Sequence, residues 1–190
     1  MKNQVKWIAI VVVMALLMVG SYFLYNNLAD KFNDEQIKTE DTDNTAEKKS
    51  VDFTVFDEKG NEVKLSDFKG KPVVVNFWAT WCGYCVKEMP HFDEAYKKNL
   101  NVQFLMVNAT GNGETVEKAS KFVADKGYEF PVVYDTQSNA IRSFAGLGFP
   151  VGGLPITFFI DEDGNVVTFA NGMIDAETLQ KGIDMIKKKS

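Results

Sequence analysis

The chain has 190 residues, 45% hydrophobic and 13% aromatic, with a formal net charge of −5. That length suits one domain of ordinary size plus an appendage, and fifteen phenylalanines supply a real core, which excludes a globally disordered chain. Lys2 and Lys6 are the only charges before Asp30, so the remainder is more acidic than the whole, and without a basic stripe it is no nucleic-acid binder, because neutralising phosphates takes clustered Lys and Arg.

From Trp7 to Tyr25 there is no charged residue. As a helix this stretch spans roughly 28 Å, close to the hydrocarbon thickness of a bilayer. Lys2 and Lys6 precede it, while Asp30, Asp34 and Glu35 follow, so the positive-inside rule puts the N-terminus in the cytoplasm and the rest outside. Residues 1–29 therefore read as a single-pass anchor in the cell membrane. The rival is a cleaved signal peptide. The apolar stretch is longer than the usual hydrophobic region of one, and the small residues around Ala29 make a weak cleavage site. Residues 30–50 are polar and read as a flexible linker. Residues 51–190 read as the globular domain.

In that domain, Val51–Phe56 and Glu62–Leu65 flank Glu58-Lys59-Gly60-Asn61, a hairpin signal. A connector at residues 66–72 leads to Val73–Trp78, a nearly continuous apolar run expected of a strand covered on both faces. Gly83 to about Lys98 is predicted helical with a kink at Pro90, and Val102–Val107 as a second buried strand. Glu114–Lys126 places Val116, Ala119 and Val123 on one helical face and stops at Gly127. Phe130–Tyr134 is a short strand and Ser138–Phe144 a short helix. Ile156–Ile160 and Val166–Ala170 form a closing hairpin around Asp163-Gly164-Asn165. Asp175 caps a last helix with Leu179, Ile183 and Ile186 inward. Helix-linked strands imply parallel pairs, and the hairpin adds an antiparallel edge. The expected class is α/β: a mixed central sheet with helices on both faces and an N-terminal β-hairpin.

Two cysteines are present, three positions apart, so they are not a scaffold of structural disulfides. Trp81-Cys82-Gly83-Tyr84-Cys85 sits where a buried strand hands over to a helix. A sulfur at a helix start faces unpaired N–H groups and the positive end of the dipole, both of which favour the thiolate. Cys85, one turn further in, is placed to attack a mixed disulfide formed at Cys82. A zinc site is the alternative for a C-x-x-C pair, but there is no second pair and His91 is the only histidine.

Val73–Cys85, VVVNFWATWCGYC, resembles the active-site strand and loop of the thioredoxin superfamily. Pro90 matches that fold's kink proline, and Leu154-Pro155 its cis-proline loop. With the N-terminal anchor, the leading hairpin, the extra βα segment and the GLPITFFID ending at Gly153–Asp161, the chain is similar to the TlpA/ResA-like anchored extracytoplasmic thioredoxins. The resemblance implies a thioredoxin-like fold over residues 51–190, Cys82 as nucleophile, Cys85 as resolving thiol, and a cis Pro155 that sets the backbone of Leu154 beside the dithiol to pair with an extended substrate. Trp81 and Tyr84 would add a hydrophobic landing surface.

Two departures from the thioredoxin pattern carry information. Asn76 stands where cytoplasmic thioredoxins have a buried Asp, and it cannot titrate. Glu88, three residues after Cys85 on the same helix, is the candidate replacement as its proton acceptor, against the plain alternative of an exposed surface carboxylate. Tyr84 takes the place where proline is common, and residues between the cysteines tune the reduction potential. The glycine-rich stretch at 146–153 lacks the strand-then-helix setting of a phosphate loop and reads as a mobile loop beside the site.

The leading expectation is an enzyme without cofactor that reduces protein disulfides outside the cytoplasm, as in cytochrome c maturation or envelope redox repair. Its electrons would come from a membrane-embedded thiol donor. A disulfide-forming oxidase with the same dithiol is the alternative. From another class comes a copper chaperone, although no histidine follows His91. A thiol peroxidase is disfavoured because Ala79 stands three before Cys82 where a Thr is needed.

Overall fold

The computed structural model describes residues 6, 14, 16–24, 37–39 and 51–187, with 37–39 described by backbone alone. The chain divides into two units, Met1–Glu35 and Gln36–Ser190. In the first, residues 16–24 are helical, and apolar side chains such as Leu17, Phe23 and Leu24 are exposed. Among the described residues no helix is long and apolar enough to cross a membrane. Apart from residue 14, the rest of the Trp7–Tyr25 segment lies outside the described residues, as does the spacer apart from residues 37–39.

In the second unit the order is β1 (Ile37–Thr39), β2 (Thr54–Phe56), β3 (Glu62–Lys64), a 3-10 turn at Leu65–Phe68, β4 (Val73–Trp78), α1 (Gly83–Lys98), β5 (Gln103–Asn108), α2 (Val116–Lys126), β6 (Val132–Tyr134), α3 (Asn139–Gly146), β7 (Ile156–Ile160), β8 (Val166–Asn171) and α4 (Ala176–Ile186). These strands form one sheet in the order β1-β8-β7-β4-β5-β6-β2-β3. As helical crossovers require, β4 runs parallel to β5 and β5 to β6. β7 lies antiparallel on the other side of β4, with Asn76 opposite Thr157 and Phe77 opposite Ile156.

The run Val73–Trp78 is buried at every position because both faces of β4 are covered. Val74 and Trp78 face a core shared with Met89 and Phe92 of α1, Ala119 of α2, and Leu179 and Ile183 of α4. Val73, Val75 and Phe77 face the opposite core, with Leu65, Ala140 and Phe144. The period-2 alternation thus divides one strand between two cores.

Local signals set the ends. Thr115 caps α2 through Lys118 N–H at 3.2 Å, and Gly127 ends it with a φ of +69°. Asp175 caps α4 through Thr178 N–H at 2.8 Å. Pro90 lies inside α1 and withholds one helix hydrogen bond.

Two expectations are corrected. α2 begins at Val116, not Glu114, because Thr115 takes the cap and Glu114 turns inward. The closing hairpin is not the sheet edge: β1, from within the expected spacer, pairs with β8, Ile37 opposite Ala170. Within the glycine-rich stretch Phe149 is buried, its ring centroid 5.3 Å from that of Phe158 and 5.4 Å from that of Phe169.

Gly182 carries a stability prediction. A Cβ there would fall on the ring of Phe159 in β7, so α4 packs this closely only because that position has no side chain. Gly182→Ala is expected to cost about 1–3 kcal/mol through overpacking. Urea denaturation checks it, and an unchanged midpoint would mean that α4 moves aside freely.

Candidate active site

β4 ends at Trp78, and a turn through Ala79, Thr80 and Trp81 leads into α1. Cys82 closes the turn by donating its N–H to Ala79 C=O at 3.1 Å, and it is the N-cap of α1. Its Sγ accepts the N–H of Cys85 at 3.2 Å. The sulfur thus sits where the helix leaves its first N–H groups unpaired and its dipole is positive. Cys82 and Cys85 are joined in a disulfide, with a Cα–Cα distance of 5.3 Å. Cys82 keeps 7% exposure and Cys85 none, so a partner reaches Cys82 first.

Trp81 and Tyr84 stand out from the surface beside the disulfide, 56% and 63% exposed. Lys87 Nζ lies 5.5 Å from the Tyr84 ring centroid. The Leu154-Pro155 peptide is cis. Leu154 is half-buried and packs against the core cluster that contains both cysteines, while Pro155 is buried and its C=O accepts the Gly172 N–H at 2.9 Å.

Glu88 is buried, 1% exposed, rather than on a solvated helix face. Its Oε1 accepts the Asn76 side-chain amide at 2.9 Å, and its Oε2 accepts the Ile174 N–H at 2.9 Å. Burial raises its carboxyl to about 8, against the opposing pull of the Ile174 N–H and the Asn76 amide. Asn76 also donates to Thr157 Oγ1 at 2.9 Å, and its own side-chain oxygen has no partner among the described residues. The structure therefore brings Cys82 and Cys85 together and sets Glu88 one turn deeper on the same helix, bound to Asn76 and Ile174.

A chemical consequence follows from this layout. One sulfur at the rim and one buried behind it permit exchange of a disulfide between this pair and an outside partner. Among the described residues, no three His, Cys, Asp or Glu side chains gather in a way that could hold a metal ion.

A model of the AhpC/TSA family matches residues 46–169. The thiol-disulfide oxidoreductase ResA of Geobacillus kaustophilus is 33% identical over 190 residues, covering 98% of this chain and 99% of that protein. The chain belongs to this family of thioredoxin-fold thiol-disulfide oxidoreductases. The ResA of Bacillus subtilis is 31% identical over 178 residues, 93% of this chain and 90% of its own length. The solved structure of a thioredoxin family thiol:disulfide interchange protein from Chlorobium tepidum matches with a TM-score of 0.65 at 25% identity, covering 76% of this chain and 99% of that one.

For an oxidoreductase of this family, several residues at the site escape sequence reasoning. Thr157 and the Ile174 N–H lie 81 residues beyond Asn76 and 86 beyond Glu88, and no local pattern marks them. Glu114 reads as an ordinary helix start, yet its buried carboxylate binds Thr80 in the active-site turn. Its only sequence signal is the preceding Gly111-Asn112-Gly113, which announces a tight turn without saying what the turn delivers.

Proposed function

We propose that the protein is a membrane-anchored reductant of protein disulfides outside the cytoplasm, with Cys82 as nucleophile, Cys85 as resolving thiol and Glu88 as the proton partner of Cys85. The observation that carries this reading is the buried Glu88 carboxyl one turn below a buried Cys85. In the reduced enzyme the Cys82 thiolate attacks a partner disulfide, forming a mixed disulfide and releasing one partner thiolate. Cys85 then passes its proton to the Glu88 carboxylate and attacks Cys82 Sγ. This closes the enzyme disulfide and releases the second partner thiolate, so the partner gains two electrons and the enzyme loses two.

The raised carboxyl suits this sequence. Burial that raises the Glu88 carboxyl to about 8 makes its ionised form a strong enough base to accept the Cys85 proton near neutral pH. When a thiol donor reopens the disulfide at Cys82, Cys85 leaves as a thiolate and takes that proton back. Trp81 and Tyr84 supply exposed apolar surface for the partner, and the Leu154 backbone, before cis Pro155, supplies hydrogen bonds for an extended segment.

The anchor reading rests on the uncharged Trp7–Tyr25 stretch between Lys2 and Lys6 and the acids from Asp30 onward. Residues 1–29 would insert, 30–50 apart from the β1 residues 37–39 would act as linker, and 51–190 would carry the chemistry, drawing electrons from a membrane-embedded thiol carrier. Full-length protein is then expected in the membrane fraction, resistant to high salt and released by detergent. Recovery in the soluble fraction would remove the anchor.

Direction is tested by equilibrating the dithiol with glutathione. A potential near thioredoxin's, about −270 mV, supports the reductant, whereas one above that of protein disulfide isomerase, about −180 mV, would make it an oxidase.

A further inference from the structure

Glu114 has no part in the proton step above, yet its carboxylate is spent on the active-site turn. The side chain is fully buried. Oε1 accepts the backbone N–H of Thr80 at 2.8 Å and the side-chain amide of Asn108 at 2.9 Å, and Oε2 accepts the Thr80 hydroxyl at 2.6 Å. Lys118 Nζ stands 3.4 Å from Oε2. Thr80 is two residues before Cys82, and Asn108 is the β5 residue opposite Trp78, the last residue of β4.

The loop that delivers Glu114 is built for the purpose. Gly111, Asn112 and Gly113 all have positive φ, at +123°, +52° and +84°. Glycine adopts this backbone without cost, and Asn tolerates it better than most residues. Gly111 and Glu114 then exchange backbone hydrogen bonds at 3.0 and 2.9 Å, which closes the turn and aims the carboxylate inward. On the receiving side, the Ala109 N–H holds Trp78 C=O at 2.9 Å, and the Cys82 N–H holds Ala79 C=O. Between those two ties, Thr80 is gripped by Glu114 at both its backbone and its side chain.

We infer that Glu114 is a positioning residue for exchange at Cys82: through Thr80 it fixes the turn that holds the Cys82 sulfur against the first N–H groups of α1. A turn free to move would carry that sulfur away from the Cys85 N–H, 3.2 Å away, and from the positive end of the helix. The thiolate would lose its stabilisation and the incoming disulfide its aligned nucleophile. The inference rests on exchange at Cys82 and is independent of the role proposed for Glu88.

The test uses full-length reduced protein carrying Cys85→Ser, so that only Cys82 reacts. Alkylation by iodoacetamide is followed against pH, and exchange with a small aromatic disulfide at fixed pH. Glu114→Ala is expected to move the alkylation midpoint up by about half a pH unit or more and to slow exchange about tenfold. Thr80→Val removes only the hydroxyl and is expected to act in the same direction by less. Glu114→Gln can keep all three hydrogen bonds, with its oxygen facing Thr80 N–H and Asn108 and its amide donating to the Thr80 hydroxyl, so it is expected to stay within about twofold of the parent. Circular dichroism verifies folding, and if Glu114→Ala does not fold, Thr80→Val decides. The inference is overturned if the folded Ala or Val variant keeps the parent midpoint and rate, or if Gln is as slow as Ala, which would assign the effect to charge instead of placement.

Discussion

Full-length protein with Cys85→Ser is expected to accumulate as a covalent complex with its partner, while Cys82→Ser captures nothing. The reason is the depth of the two sulfurs. Cys82 retains access to solvent at the N-cap of α1, and Cys85 has none, so an outside disulfide meets Cys82 alone. Serine at 85 leaves that first attack intact but removes the thiolate that would displace the partner, so the mixed disulfide persists. Serine at 82 removes the proposed nucleophile, and turnover of a disulfide substrate is expected to fall on the order of a thousandfold or more. Non-reducing electrophoresis of membrane extracts, followed by reduction of the trapped band, reads both variants. Equal trapping by the two would mean that the buried sulfur is reached directly, against the geometry of the turn.

The second large effect concerns Glu88 and pH. Its carboxyl lies at about 8 in the folded, disulfide-bonded protein, against 4.5 for an ordinary glutamate. Between those values the native state keeps the proton and the unfolded chain releases it, so the native state binds more protons and stability falls as pH rises. Below about 4.5 both forms are protonated and nothing is lost; above about 8 the whole cost is present. At about 1.4 kcal/mol per unit, the interval amounts to a few kcal/mol.

Glu88→Gln abolishes this slope. Its carbonyl can still accept the Ile174 N–H, and its amide can donate to the Asn76 side-chain oxygen if that amide turns over, which moves the Asn76 nitrogen into the place where the oxygen has no partner among the described residues. Urea denaturation of oxidised protein is expected to find the variant close to the parent at pH 5 and more stable by a few kcal/mol at pH 9. Parallel stability curves would show that Glu88 is ordinary in its titration. Exchange kinetics supply the matching functional readout: the Gln variant has no carboxylate to receive the Cys85 proton, so its resolving step is expected to slow and lose the pH dependence that Glu88 imposes. Unchanged rates and an unchanged profile would remove Glu88 from the mechanism while leaving Cys82 and Cys85 in place.

Much of this protein was determined by sequence alone, and for local reasons. The unbroken apolar run Val73–Trp78 requires a strand buried on both faces, and helix-length segments between strands require parallel pairing. Asp175 and Gly127 mark helix ends because caps act within a turn of themselves. The dithiol was legible for the same reason: two cysteines three apart at a strand-to-helix junction define their own geometry.

Only the tertiary structure decided the rest. The strand at Ile37–Thr39 carries no pattern of its own and exists by pairing with β8. That Glu88 is buried depends on Asn76, 12 residues away, and on Ile174, 86 residues away; that Glu114 faces the active-site turn depends on Thr80, 34 residues away. A helical period states which residues share a face, but a carboxylate buried by distant segments looks the same in sequence as one in water. The difference lies in which polar groups the finished sheet brings within hydrogen-bond reach, and that is settled only when β4, β7 and α1 meet.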